Sequence, residues 1–151
     1  MPYDFEGWAT KNDLKCADGL TIKKDAFKVN DGKTVPLVWN HQHNNVADVL
    51  GHAVLENRDE GVYAHCSFND TQAGRDAKKA VLHGDVTALS IWANNLHQVG
   101  MDILHGVIRE VSLVLAGANP GAFIESVLAH SEPIGEGGDE GISYTVEGIF
   151  L

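Results

Sequence analysis

Three residues of this sequence stand where strand-forming residues would otherwise be expected, and their types are those of acyl-transfer chemistry. Ser90 interrupts the apolar run Ala88-Leu-Ser-Ile-Trp92, where a hydroxyl has no turn or cap to serve. Glu110 lies within Val107-Ile-Arg-Glu-Val-Ser-Leu-Val114, and a carboxylate flanked by apolar residues must be paired or solvated. His41 follows the extended run Val35-Pro-Leu-Val-Trp-Asn40 and so emerges at a strand end, a suitable place for a general base. A serine becomes a nucleophile when an imidazole takes its proton and a third group holds that imidazole in the right tautomer. Each residue also has an ordinary reading: a serine hydrogen-bonded within a sheet, a glutamate in a salt bridge on an exposed strand face. His43 sits two residues past His41, on the same side if the strand continues, and competes with it as the base.

The other reactive residue types point to no second chemistry. There are eight histidines, at positions 41, 43, 52, 65, 83, 97, 105 and 130, but no HExxH pattern. The two cysteines, Cys16 and Cys66, form no CxxC pair or zinc-knuckle spacing, so no metal site is expected and both are expected to be reduced, inert thiols.

The elements that must position these residues are mostly short strands, punctuated by 16 glycines. Extended runs are expected at Thr34–Trp39, Val49–Leu55 and Val62–Phe68, with a turn over Asn57–Gly61. Ala73, Ala77, Ala80 and Val81 recur at helical spacing, so a helix is expected over Thr71–His83, capped among Asn69 to Thr71 and stopped by Gly84. Strands resume at Val86–Trp92 and at Val107–Leu115, the most β-prone segment. Asn119-Pro120-Gly121 reads as a cap with Pro at the first helical position, opening a short helix through Phe123, Val127 and Leu128 to His130.

With 151 residues the chain suits one domain, expected over residues 1–130. From Ser131 a Gly- and acid-rich linker leads to an apolar tail, Ile142 to Leu151. The net charge of -10 argues against a surface that neutralises nucleic-acid phosphates. No apolar run approaches the about 18 residues that span a bilayer, and the start lacks a basic region followed by an apolar stretch, so a cytoplasmic protein without membrane or nucleic-acid partners is expected.

Taken in order, four stretches resemble the prohead (capsid maturation) proteases of tailed phages, a family similar to the herpesvirus assembly proteases. Phe5-Glu-Gly-Trp-Ala9 through Asp25-Ala-Phe27 is similar to that family's N-terminal strand and turn, and Val35-Pro-Leu-Val-Trp-Asn-His41 followed by Gly51 to its histidine motif. Leu82-His-Gly-Asp-Val-Thr-Ala-Leu-Ser-Ile91 resembles its serine strand, and Arg109-Glu-Val-Ser-Leu-Val114 with Ala118-Asn-Pro-Gly-Ala122 its "E-V-S-L-V... A-N-P-x-A". Together they run from about Phe5 to Val127.

The resemblance implies an α+β, β-rich fold: a small closed or partly closed β-barrel of short strands with a few surrounding helices, as in herpesvirus proteases. It implies a serine endopeptidase with Ser90 as nucleophile, His41 as base and Glu110 orienting the histidine, a place that a second histidine takes in the herpesvirus relatives. The oxyanion hole would fall in Ala116-Gly-Ala-Asn119, with the Ala118 amide as one donor and Gly117, where the family often has Pro, permitting close backbone approach. No cofactor is implied. The implied substrates are the scaffold, the N-terminal arm of the major capsid protein and the protease itself, inside assembling proheads in the host cytoplasm. The segment Pro120 to His130 offers an apolar face for a homodimer or for core packing. A non-catalytic scaffold or assembly domain that has kept the fold is the alternative from another class.

Overall fold

A computed structural model of the chain describes residues 3–42 and 44–128. His43, His130 and the expected linker and tail lie outside the described residues.

Eight strands and one α-helix account for most of the described chain: β1 Phe5–Lys11, β2 Thr21–Ile22, β3 Thr34–Trp39, β4 Val49–Arg58, β5 Gly61–Phe68, α1 Gln72–Leu82, β6 Ala88–Val99, β7 Asp102–Val114 and β8 Ile124–Val127. They form one mixed sheet in the order β2-β7-β3-β4-β5-β1-β8, with β6 also paired to β7. The short β2 and the central β3 both run parallel to β7, and every other ladder is antiparallel. Because β6 follows one edge of β7, the parallel strands share the other. Phe5, Leu37, Leu55, Leu89, Ile91, Ile103, Ile108, Leu113 and Ile124 converge from the strands, with Phe27 from the β2–β3 connection, into one core.

Several expected elements are present with shifted ends. β3 has the bounds read from the sequence, and α1 is capped by Thr71, whose Oγ1 accepts from the Gly74 N–H at 3.0 Å, and ends before Gly84 in a left-handed conformation. Asn57 and Arg58 stay in β4, leaving Asp59 and Glu60 as the turn. At Gly51 a Cβ would collide with the Ser67 carbonyl oxygen, so β4 and β5 reach this separation only because the residue is glycine.

Three expectations require correction. The barrel does not close: between β6 and β8 there is an isolated Ala88–Phe123 bridge and a Ile124 N–H bond to the Thr87 carbonyl of 3.0 Å, not a ladder. The strands are not all short, since β6 has 12 residues and β7 has 13, and α1 is the one α-helix among the described residues. From Asn95 to Val99 β6 is exposed on both faces, so this part lacks the apolar alternation that marks a strand in sequence. The expected helix after Pro120 is a turn followed by β8. The Ala122 N–H closes the turn on the Asn119 carbonyl at 3.1 Å, and Asn119 Nδ2 donates to Thr10 Oγ1 and the Lys11 carbonyl, each at 2.9 Å. That anchor brings the chain onto the free edge of β1, where pairing replaces helix formation.

Candidate active site

The site is built where β6, β7 and the end of β3 meet. Leu89 and Ile91 face the core, so the two-residue period of a strand turns Ser90 to the other face of β6. Ser90 lies directly opposite Ser112 of β7, and Trp92 opposite Glu110. One step further the register shifts: Ala93 faces Ile108, so β7 advances two residues while β6 advances one. This bulge lets Ile108 and Val111 both enter the core while Glu110 and Ser112 share the face of Ser90.

His41 comes from the parallel partner. β3 pairs with β7 as far as Trp39–Leu113, and the Asn40 N–H still donates to the Leu113 carbonyl at 2.9 Å. The chain then reverses, with the Gln42 N–H donating to the Trp39 carbonyl at 3.0 Å and with Asn40 at φ 47° and His41 at φ 58°. Two consecutive positive φ values define a turn of the I′ type, and a side-chain-bearing residue there carries a cost of about 1 kcal/mol or more. The turn swings the imidazole back over the sheet.

His41 Nδ1 is 2.9 Å from Glu110 Oε2, and Nε2 is 2.6 Å from Ser90 Oγ. A carboxylate accepts only, so the proton sits on Nδ1, which donates to Glu110 and leaves the Nε2 lone pair for the Ser90 O–H. Ser90, Glu110 and Ser112 are buried, whereas the imidazole is 23% exposed and forms the solvent side of the cluster. A hydroxyl donating to an imidazole whose far nitrogen donates to a buried carboxylate is the arrangement that raises an alcohol's nucleophilicity.

The structure thus brings together Ser90, His41 and Glu110, read from the sequence as one group; His43 lies outside the described residues. Gly117 and Ala118 follow the end of β7 and are half-buried, and the Ala118 carbonyl accepts from the Ala17 N–H at 2.9 Å, which ties this segment to the loop after β1. Ser112 was not singled out by sequence reasoning, although its hydroxyl touches both His41 and Glu110. Its even spacing from Glu110 along the strand is the signal that could have found it.

The remaining titratable groups do other work. Burial pushes the Cys16 thiol up to about 11 and the fully buried Cys66 thiol well above its ordinary value, so both are poor nucleophiles. On the outer face His65 lies between Glu6 and Glu56, each 3.0 Å away, and Glu125 accepts from Trp8 Nε1–H and Tyr63 O–H, each at 2.9 Å. These bonds staple β1, β4, β5 and β8. Among the described residues no three His, Cys, Asp or Glu side chains group as a metal site, and no helix is long and apolar enough to cross a membrane.

No curated protein matches the sequence. The fold is similar to that in the crystal structure of KSHV protease in complex with a hexapeptide phosphonate inhibitor, at a TM-score of 0.59 and 14% identity. The likeness covers 80% of this chain but 62% of that one, so the chain spans less than two thirds of the herpesvirus protein, and the likeness is one of fold. The sequence model of the Caudovirus prohead serine proteases matches residues 5–136, the greater part of the chain, and the protein belongs to that family.

Proposed function

We propose that this chain is a serine endopeptidase of capsid maturation, with Ser90 as nucleophile, His41 as general base and then acid, and Glu110 as the group that orients the imidazole. The observation that carries the reading is the continuous path from Ser90 Oγ through Nε2 and Nδ1 to Glu110, 2.6 Å and 2.9 Å long at its two bonds. Ser90 Oγ attacks the scissile carbonyl as Nε2 takes its proton, and the resulting imidazolium is held by Glu110. Nε2 then returns the proton to the departing amine, and water, deprotonated by the same nitrogen, hydrolyses the acyl-enzyme. No cofactor takes part.

The amides of Gly117 and Ala118 are the proposed oxyanion donors. In support, both residues follow the end of β7, the strand that carries Glu110, and Gly117 permits a close backbone approach. The proposed substrates, by analogy with the family's role in prohead maturation, are the scaffold, the N-terminal arm of the major capsid protein and the chain itself, inside proheads in the host cytoplasm.

The test is incubation of the chain and of Ser90→Ala with the capsid and scaffold proteins encoded alongside it, with fragments read by mass spectrometry. Cleavage by the parent and none by the variant is expected. Identical patterns, or none from a folded parent, would sink the enzyme in favour of a non-catalytic assembly domain. The same assay on His41→Ala and His43→Ala decides the base: loss with the second alone would overturn the assignment to His41.

A further inference from the structure

We propose that Ser112 is a positioning residue of the active site: its hydroxyl ties the backbone of His41 to the carboxylate of Glu110, so that base and acid are held by one common group. The inference rests on the Ser90–His41–Glu110 reading above and adds a fourth member to it.

Parallel pairing of β3 with β7 ends at Trp39, and the turn that follows takes the His41 N–H out of reach of the ladder. That donor is met by a side chain, Ser112 Oγ, at 2.9 Å. The Ser112 hydroxyl proton goes to Glu110 Oε1, also at 2.9 Å. The other carboxylate oxygen, Oε2, is the one that faces His41 Nδ1. Ser112 Oγ is itself 3.2 Å from Nδ1, where its second lone pair makes a secondary acceptor for the same N–H.

A hydroxyl has one proton and two lone pairs, and all three are directed at His41 or Glu110. Ser112 is fully buried, so solvent does not compete for these bonds. The residue therefore fixes two things that the reaction needs. It clamps the left-handed backbone from which the imidazole is swung, and it sets the carboxylate so that Oε2, not Oε1, meets Nδ1. It does so from the Nδ1 side, whereas Ser90 stands at Nε2, and this distinguishes the two serines that face each other across the β6–β7 ladder.

The bond to Glu110 also sets the charge that the imidazole feels. From β7 the charged Glu110 faces the ring, and from β6 the neutral Ser90. The Ser112 O–H shares the carboxylate's charge with Nδ1–H. Without it, that charge bears more fully on Nδ1–H and favours the imidazolium, so the rise of activity with pH moves to higher pH.

The experiment follows covalent labelling of the full chain by an alkyl fluorophosphonate, with the site mapped by mass spectrometry and the rate measured from pH 5 to 9. Parent, Ser90→Ala, Ser112→Ala and Ser112→Cys are compared, each checked for folding by thermal melting. Labelling of the parent at Ser90 is expected, with Ser112→Ala slower by roughly 10- to 100-fold, the usual scale for losing hydrogen bonds to a charged group, and with its pH midpoint raised. Ser112→Cys, which fills the same space with a weak donor, is expected to show the same two changes and carries the test if the alanine variant does not fold. A parent that is never labelled at Ser90 defeats the catalytic reading itself. A labelled parent with a folded Ser112 variant that matches its rate, or that is slower at an unmoved pH midpoint, defeats only the role of Ser112.

Discussion

His41 contributes its backbone to the site as much as its ring. Its left-handed conformation is held by Ser112 on one side and by the Trp39–Gln42 turn on the other, while the ring spans Ser90 and Glu110. Glu110→Gln keeps the shape but presents an amide that can satisfy Nδ1 in the wrong tautomer. Cleavage is expected to fall by roughly 10²–10⁴-fold in steady-state rates, with a melting temperature that changes far less. The cysteines give an opposite expectation: with both thiols buried and pushed up, an aromatic disulfide reagent should release no colour from the native protein at pH 8 and two equivalents after unfolding. Ser90, His41 and Glu110 were legible in sequence because each breaks a pattern: a hydroxyl and a carboxylate in apolar strands, an imidazole just past one. Ser112 breaks the same pattern and has even spacing from Glu110, but its part is visible only once the turn at His41 is known.

The same contrast holds for elements. β3, β5 and α1 were readable because local pattern and final environment agree. The end of the chain was not, because Asn-Pro-Gly opens a helix or a tight turn equally well and the choice is made by a distant strand. Asn119 makes that choice through its bonds to Thr10 and Lys11, and its Oδ1 accepts from the Gly121 N–H at 3.0 Å. Asn119→Ala leaves Lys11 and Thr10 without this partner in a buried setting, and a loss of about 2–3 kcal/mol in urea unfolding is expected. The β6–β7 hairpin shows the other kind of limit: its bulge decides which residues of β7 face the core and which face Ser90, and register of this sort leaves no local trace.

At the scale of the whole molecule, the sheet is stapled on its outer face by charges. Arg58, bonded at 2.8 Å, and then His65 hold the Glu56 carboxyl down to about 2 from an ordinary 4.5. A depressed carboxyl stabilises the fold above its unfolded value and loses that contribution as pH falls through the folded value. Unfolding followed from pH 5 to 2 should therefore show stability falling in the parent and falling less in Glu56→Gln, by about 1 kcal/mol or less because the pair is partly solvated. The segment read as a helix that could pair two copies is, over its described part, the edge strand β8, paired with β1. The parallel partnership of β3 with β7 has a further consequence, in time. His41, the proposed base, stands 49 residues before Ser90 and 69 before Glu110, and their strands are joined by pairings that are slow to form. A chain emerging from the ribosome therefore carries its histidine, and then its serine, with no carboxylate to align them. Synthesis of β7 is the step that arms the proposed protease, and a translation product that ends before it lacks both Glu110 and the Ser112 clamp on the His41 turn.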